Sequence, residues 1–236
     1  MGLSLGDSLA GLFALQGLLA ALYRRGQGGG GQEVDVSILE SCFAVLESIP
    51  TEFDRLGQVR APTGTRLAGN APSNVYHARD GRRLVVAANT DPMFARLASA
   101  MGRPQLASDG RFATHTARST NQDALDEEIA AWAGTLDAAE IERRLAEAGV
   151  VCGPINSIAD VFADEHVQAR EMVVAQEDAE LGTLVGPAPV PRFSETPGRV
   201  RWSARWQPGA DNRDVLGGLL GHTDAELDRW REDGVI

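Results

Sequence analysis

The run LAGLFALQGLLAAL at residues 9–22 constrains this chain more than any other feature. It carries no charge, and Leu12, Leu15, Leu19 and Leu22 recur at the spacing of one helix face. Ala10, Ala14, Gly17 and Ala21 form a second stripe of small residues. A helix apolar on nearly every side belongs in a core, and small side chains let a neighbour approach closely. The run predicts a buried helix. Its 14 residues fall short of the roughly 20 that cross a bilayer. Arg24 and Arg25 follow the run, whereas a signal peptide carries its charge in front. Gly6-Asp7-Ser8 offers an N-cap at the start, and the stretch GQGGGG at 26–31 ends the helix.

A short strand (EVDVS, 33–37) and a helix over 38–49 are expected next. Helix, tight turn, strand and helix in that order make a piece of an α/β layer. Residues 50–72 change texture, rich in Gly, Pro, Thr and Arg without a period, and read as a linker or active-site loop. Asp80-Gly81 between two apolar runs signals a hairpin of 74–78 with 83–88. Helices are expected over 91–101, 121–133 and 137–148, the last capped by Asp137. A strand at 150–154, short helices at 157–162 and 166–172, and strands at 173–176 and 182–185 follow. After a second Pro- and Arg-rich stretch, helices are expected at 211–220 and 223–232, with Thr223 and Glu226 placed as a capping box. The fold class is therefore α/β, with a middle α+β block inserted into another body. Residues 1–49 and 197–236 are assigned to that larger domain, 73–186 to the small one, and 50–72 and 187–196 to the connections.

The chain has 236 residues, 43% of them apolar and 23% charged, with a formal net charge of -11. A field of that sign repels phosphate backbones, so no nucleic acid is expected as a partner. A small anion held by local arginines remains compatible. All 22 basic residues are Arg, which removes Schiff-base chemistry and the phosphate-binding lysine of Walker-type loops. Cys42 and Cys152 fit no metal or redox spacing and are expected to be small buried residues in a reducing cytoplasm. No metal site is expected. Residues 164–166 (Asp-Glu-His) point in different directions on a helix and cannot close on one ion. Gly28 to Gly31 lies after a helix and before a strand, the wrong order for a phosphate cradle. Trp202 and Trp206, among arginines, read as aromatics packed on the body rather than base-stacking platforms.

Asp7 is the carboxylate of interest. A helix N-terminus carries partial positive charge and unpaired N–H groups, which favour the charged carboxylate. Gly6, Ala10 and Gly11 leave room around it. Such a group can serve as nucleophile or base, or only as a cap.

Three stretches together resemble the type III CoA-transferase family (CaiB/BaiF), which includes formyl-CoA transferase and alpha-methylacyl-CoA racemase. They are GDSLAGLFALQGLLAALYRRGQGGGGQEVDVSILES (6–41), SDGRFATHTARSTNQDALDEEIAAW (108–132) and LAEAGVVCGPINSIADVFADEHVQAREM (145–172). Their order and spacing are those of the family's C-terminal half. The resemblance implies a partial Rossmann-like large domain, a smaller α+β domain and an interlocked dimer. It implies that Asp7, within Gly6-Asp7-x-x-x-Gly11, is the catalytic aspartate, with Gly6 and Gly11 as candidate substrate or CoA contacts. In the transferases this carboxylate attacks an acyl-CoA thioester and passes CoA to a carboxylic acid through covalent aspartyl intermediates. In the racemases it moves a proton at the α-carbon. The family's glycine-rich active-site loop falls within 66–74, where Gly69 and Asn70 become candidate substrate or CoA contacts. Coenzyme A, as substrate, is the implied cofactor, with an acyl-CoA and a small carboxylic acid as ligands. Family chains are longer, so a homodimer or a complex with a separate N-terminal polypeptide is expected, with no membrane partner. The alternatives are a racemase or epimerase and a truncated non-catalytic subunit.

Overall fold

A computed structural model describes residues 2–67, 69–178, 180–201, 203, 205 and 207–236. Trp202 and Trp206 lie outside the described residues.

The long apolar run forms α1 (Leu5–Gly26), with Arg24 and Arg25 in its last turn. Its N-cap position is Ser4, so Asp7 sits inside the first turn rather than capping it. Along its flank lies α2 (Ile38–Ala44), whose N-cap Ser37 accepts from the Glu40 N–H at 3.1 Å. The small stripe on α1 is used as its composition predicts. A Cβ on Gly17 would lie 2.7 Å from Val34, so the 33–37 segment packs directly on bare helix backbone. That segment is not a strand: its backbone is in no ladder. Strand-like composition supplies donors and acceptors, but a sheet needs a second strand to receive them. The helix expected over 38–49 is also corrected. It ends at Ala44, and α3 (Ile49–Leu56) begins anew with Pro50 in its first turn and runs into the stretch read as a linker or active-site loop. Pro there is tolerated because its missing N–H has no helical acceptor anyway.

The second correction concerns burial. No residue of α1 is buried; Leu12, Leu15 and Leu19 are each more than half exposed. At 22 residues, with an 18-residue window of mean hydropathy 1.5, α1 is by length and composition long enough to cross a membrane. A helix covered by another protein surface has the same composition. The total accessible area is 16579 Å² for a 25.1 kDa chain, whereas a compact monomer of that mass exposes about 10,000 Å². The exposed leucines of α1 are surface of the kind that ordinarily marks an interaction site.

The chain's own hydrophobic core lies in the middle. Strands β1 (Ser73–His77), β2 (Arg83–Ala87) and β3 (Val151–Pro154) form one antiparallel sheet in the order β1-β2-β3. The β1–β2 hairpin turns through Asp80-Gly81, with Gly81 at φ 81°, as the sequence predicts. Tyr76, Leu84 and Val86 point from the sheet into the core, in the alternation a one-sided sheet requires. Helices α4 (Asp91–Ala100), α6 (Gln122–Ala133) and α7 (Ala138–Glu147) cover that face with Phe94, Leu97, Leu125, Ile129, Ile141 and Leu145. Each such side chain contributes about 1.5–3 kcal/mol on burial. A 3-10 turn (Pro104–Ser108) and α5 (His115–Thr120) close the edge.

Asp137 occupies the N-cap of α7, yet its side chain caps nothing. It pairs with Arg79 at 2.8 Å, and Asp80 instead accepts the Ala138 N–H. Beyond the core come α8 (Ile158–Ala163) and α9 (Glu165–Ala169), then the hairpin β4 (Val173–Asp178) with β5 (Gly182–Pro187). The terminal elements are a π-helical segment, Arg213–Leu219, and α10 (Asp224–Glu232). The Thr223/Glu226 capping box is present as the sequence predicts. The two cysteines are free and half-buried rather than fully buried. Burial, with the Glu142 carboxylate second, pushes the Cys152 thiol up to about 11.

Candidate active site

The candidate residues fall into two groups. Gly6, Asp7 and Gly11 share the first turns of α1. Asp7 is exposed, and its carboxylate has no hydrogen-bond or ion-pair partner among the described residues. Gly6 and Gly11 differ in what they permit. A Cβ at Gly6 would meet Ile38 at 3.0 Å and Cys42 at 3.3 Å, so this glycine lets α2 close on α1. Gly11 faces open space, with nothing within 4 Å of a Cβ. It lies four residues after Asp7, on the same helix face. Packing within this chain therefore explains the glycine at 6 and leaves the one at 11 as bare backbone beside a free carboxylate. An open groove of about 560 Å³ lies further along α1, lined by Phe13, Gly17, Val34, Ser37 and Ser41 among others.

The second group is the 66–72 loop. Gly69 is exposed at φ 75°, a left-handed conformation that glycine adopts without strain. Asn70 is half-buried; its N–H donates to the Leu67 carbonyl at 3.2 Å, and its side-chain oxygen accepts from Asn89 at 3.5 Å. No hydrogen bond or ion pair among the described residues joins this loop to α1, which packs chiefly on α2. Among the described residues each group is held together internally, and the two lie on separate elements.

Two buried charges behind the loop escaped the sequence reading. Arg118, on α5, is fully buried. It donates to the carbonyls of Ala71 (3.1 Å), Phe112 (3.0 Å) and Asn89 (2.8 Å) and to the Asp91 carboxylate (2.8 Å). Its guanidinium also lies over the Phe94 ring at 4.8 Å. Asp126, on α6, is buried and accepts from Tyr76 (2.5 Å), Asn74 (3.0 Å) and Arg66 (2.8 Å). Burial first, and the bond to Asp126 next, push the Tyr76 phenol far above its ordinary range. The only cue in the sequence was position: Asp126 directly follows Leu125 in an otherwise inward stripe. Among the described residues no three His, Cys, Asp or Glu side chains are grouped to hold a metal.

Residues 1–212 match CoA-transferase family III. The chain belongs to that family. Among its relatives, the succinyl-CoA–D-citramalate CoA-transferase of Chloroflexus aurantiacus is 42% identical over 236 residues, all of this chain and 58% of the relative. The formyl-CoA:oxalate CoA-transferase of Streptomyces coelicolor is 31% identical, across the whole chain and 60% of that protein. A crystal structure of a CaiB/BaiF family protein from Brucella suis superimposes with a TM-score of 0.72 and 27% identity, over 97% of this chain and 56% of that one. This family III chain therefore spans between half and two thirds of the length of these relatives. The mixed α/β architecture is the one the sequence predicts.

Proposed function

We propose that the chain takes part in CoA transfer between an acyl-CoA thioester and a small carboxylic acid, with Asp7 as the nucleophile. The observation that carries this reading is the free, exposed Asp7 carboxylate beside the bare backbone of Gly11. The names of the relatives, which act on succinyl-CoA or formyl-CoA, support the substrate class. An Asp7 oxygen adds to the thioester carbonyl, the C–S bond breaks, and CoA departs as its thiolate. The product is an acyl-aspartyl anhydride. The thiolate then attacks the aspartyl carbonyl, releasing the donor's acid and leaving an aspartyl-CoA thioester. The acceptor carboxylate displaces CoA from that thioester to form a second anhydride. CoA thiolate attacks the acceptor's carbonyl, and the Asp7 carboxylate returns. Splitting one poor displacement into two covalent exchanges lowers each barrier. Gly11 leaves the acyl-CoA room beside Asp7, Gly6 lets α2 close on the same turn, and Gly69 and Asn70 are the loop's candidate contacts once assembly brings that loop to α1. The exposed apolar face of α1 supports assembly with a second copy or a separate N-terminal polypeptide.

The test is turnover with succinyl-CoA and a dicarboxylic acid in the presence of hydroxylamine, followed by peptide mass spectrometry. Asp7 should be converted to the hydroxamate, and Asp7→Asn should reduce transfer by at least about a thousand-fold, as loss of a covalent nucleophile does. An Asp7→Asn protein that transfers CoA at the parent rate overturns the proposal.

A further inference from the structure

Alanine is a better helix former than glycine, yet α1 carries glycine at 6 and at 17. Space accounts for both. A Cβ at Gly6 would lie 3.0 Å from Cγ2 of Ile38 and 3.3 Å from Sγ of Cys42, and one at Gly17 would lie 2.7 Å from Cγ1 of Val34. Carbon atoms rest about 3.5–4.0 Å apart, so a methyl group at either position pushes its neighbour away. Neither Ile38 nor Val34 yields by rotation. Their contacting atoms are bonded directly to Cβ, and β-branched side chains are stiff at χ1. The displacement therefore falls on the backbone.

The two glycines lie on one face. They are 11 residues apart, which is within about 20° of three full turns and roughly 16 Å along the axis. Gly6, Ala10, Phe13, Gly17 and Ala21 are all half-buried along that face. Asp7 stands about 100° round the axis from Gly6, on the open side with the exposed Gly11 and Leu18. Two close contacts three turns apart fix a helix against both rotation and tilt.

We propose that Ile38, Cys42 and Val34 are positioning residues: seated in the Gly6 and Gly17 notches of one α1 face, they set the rotation and height of that helix, and so the direction in which the Asp7 carboxylate meets the acyl-CoA. This rests on the reading of Asp7 given above. The three side chains act through the backbone of α1.

Gly17→Ala is the informative substitution, because it lies ten residues from Asp7 and favours the helix. Transfer from succinyl-CoA to a dicarboxylic acid is measured with far-UV circular dichroism alongside. Expected is retained helicity, a kcat lower by about ten-fold or more, and an acyl-CoA KM within about two-fold of the parent, since a misplacement of about 1 Å is enough for such a loss. Val34→Ala removes the obstructing Cγ1 and leaves its own Cβ at 4.0 Å, an ordinary contact, so the double variant regains kcat. The Cys42 thiol at the other notch reports the seating without turnover. Its alkylation accelerates several-fold in Gly17→Ala and returns to the parent rate in the double variant. Transfer or labelling that stays at the parent rate in Gly17→Ala overturns the proposal. A double variant as impaired as the single overturns it too, because contact with Val34 is then not the cause. Where Gly17→Ala does not fold, the double variant decides, since relieved notches require it to fold and transfer. Parent protein that neither transfers CoA nor traps at Asp7 overturns the nucleophile reading and the catalytic part of this inference, while Cys42 labelling still shows whether the notches seat α1, so the two failures are distinct.

Discussion

Replacing Arg118 by Met tests how the sheet-and-helix core is held together. The side chain is fully buried and donates to three main-chain carbonyls and one carboxylate. Met fills most of the volume and donates nothing. Each buried carbonyl left without a donor costs at least about 1 kcal/mol, which puts the total at about 3–5 kcal/mol. The carboxylate partner allows a control. The Asp91 side chain is 57% exposed, so water screens it and can replace its half of the pair. Asp91→Asn should cost only about 0–1 kcal/mol. The assay is native-state hydrogen exchange of the β2 amides, with urea unfolding as a second measure. If Arg118→Met loses less than about 1 kcal/mol, or Asp91→Asn loses as much as Arg118→Met, the carbonyl account fails.

Two further outcomes follow from the same picture. Leu84 is fully buried and Leu19 is 57% exposed. Leu84→Ala should therefore destabilise β2 by about 2–5 kcal/mol, while Leu19→Ala leaves β2 exchange within about 0.5 kcal/mol of the parent; equal losses would mean α1 is part of the same core. Cys152, with its thiol pushed up to about 11 by burial, should alkylate slowly at pH 8 and accelerate only as pH rises towards that value. The sign follows from the raised value: the folded state favours the neutral thiol, so any stability it adds is present below the ordinary thiol range and fades at higher pH. Rapid labelling at pH 8 in the native protein, at the rate of a small free thiol, would contradict it.

Local signals in the sequence were sufficient wherever the deciding atoms lie within a few residues of each other. Asp80-Gly81 specifies a turn because Gly81 takes a positive φ at no cost, and the hairpin follows with its alternation of buried residues. Thr223 and Glu226 close a capping box because three residues bring side chain and backbone into reach. The leucine spacing of 12–22 specifies α1, and Gly17 accommodates Val34 as a small stripe should. Asp7 was legible as a carboxylate at a helix start, although one turn further in than a cap.

Tertiary structure decided everything that depends on which distant atoms arrive. Asp137 stands at a cap position but is claimed by Arg79, 58 residues away. Residues 33–37 have strand composition and no strand to pair with. Nothing local in the sequence singles out Arg118 and Asp126; residues of the 66–72 loop, β1 and the β2–α4 connection converge on them only in the fold. The stripe of leucines on α1 shows the same division from the other side. An apolar period states that a face must be covered, because water is a poor solvent for it, but the covering surface is a property of the assembled fold.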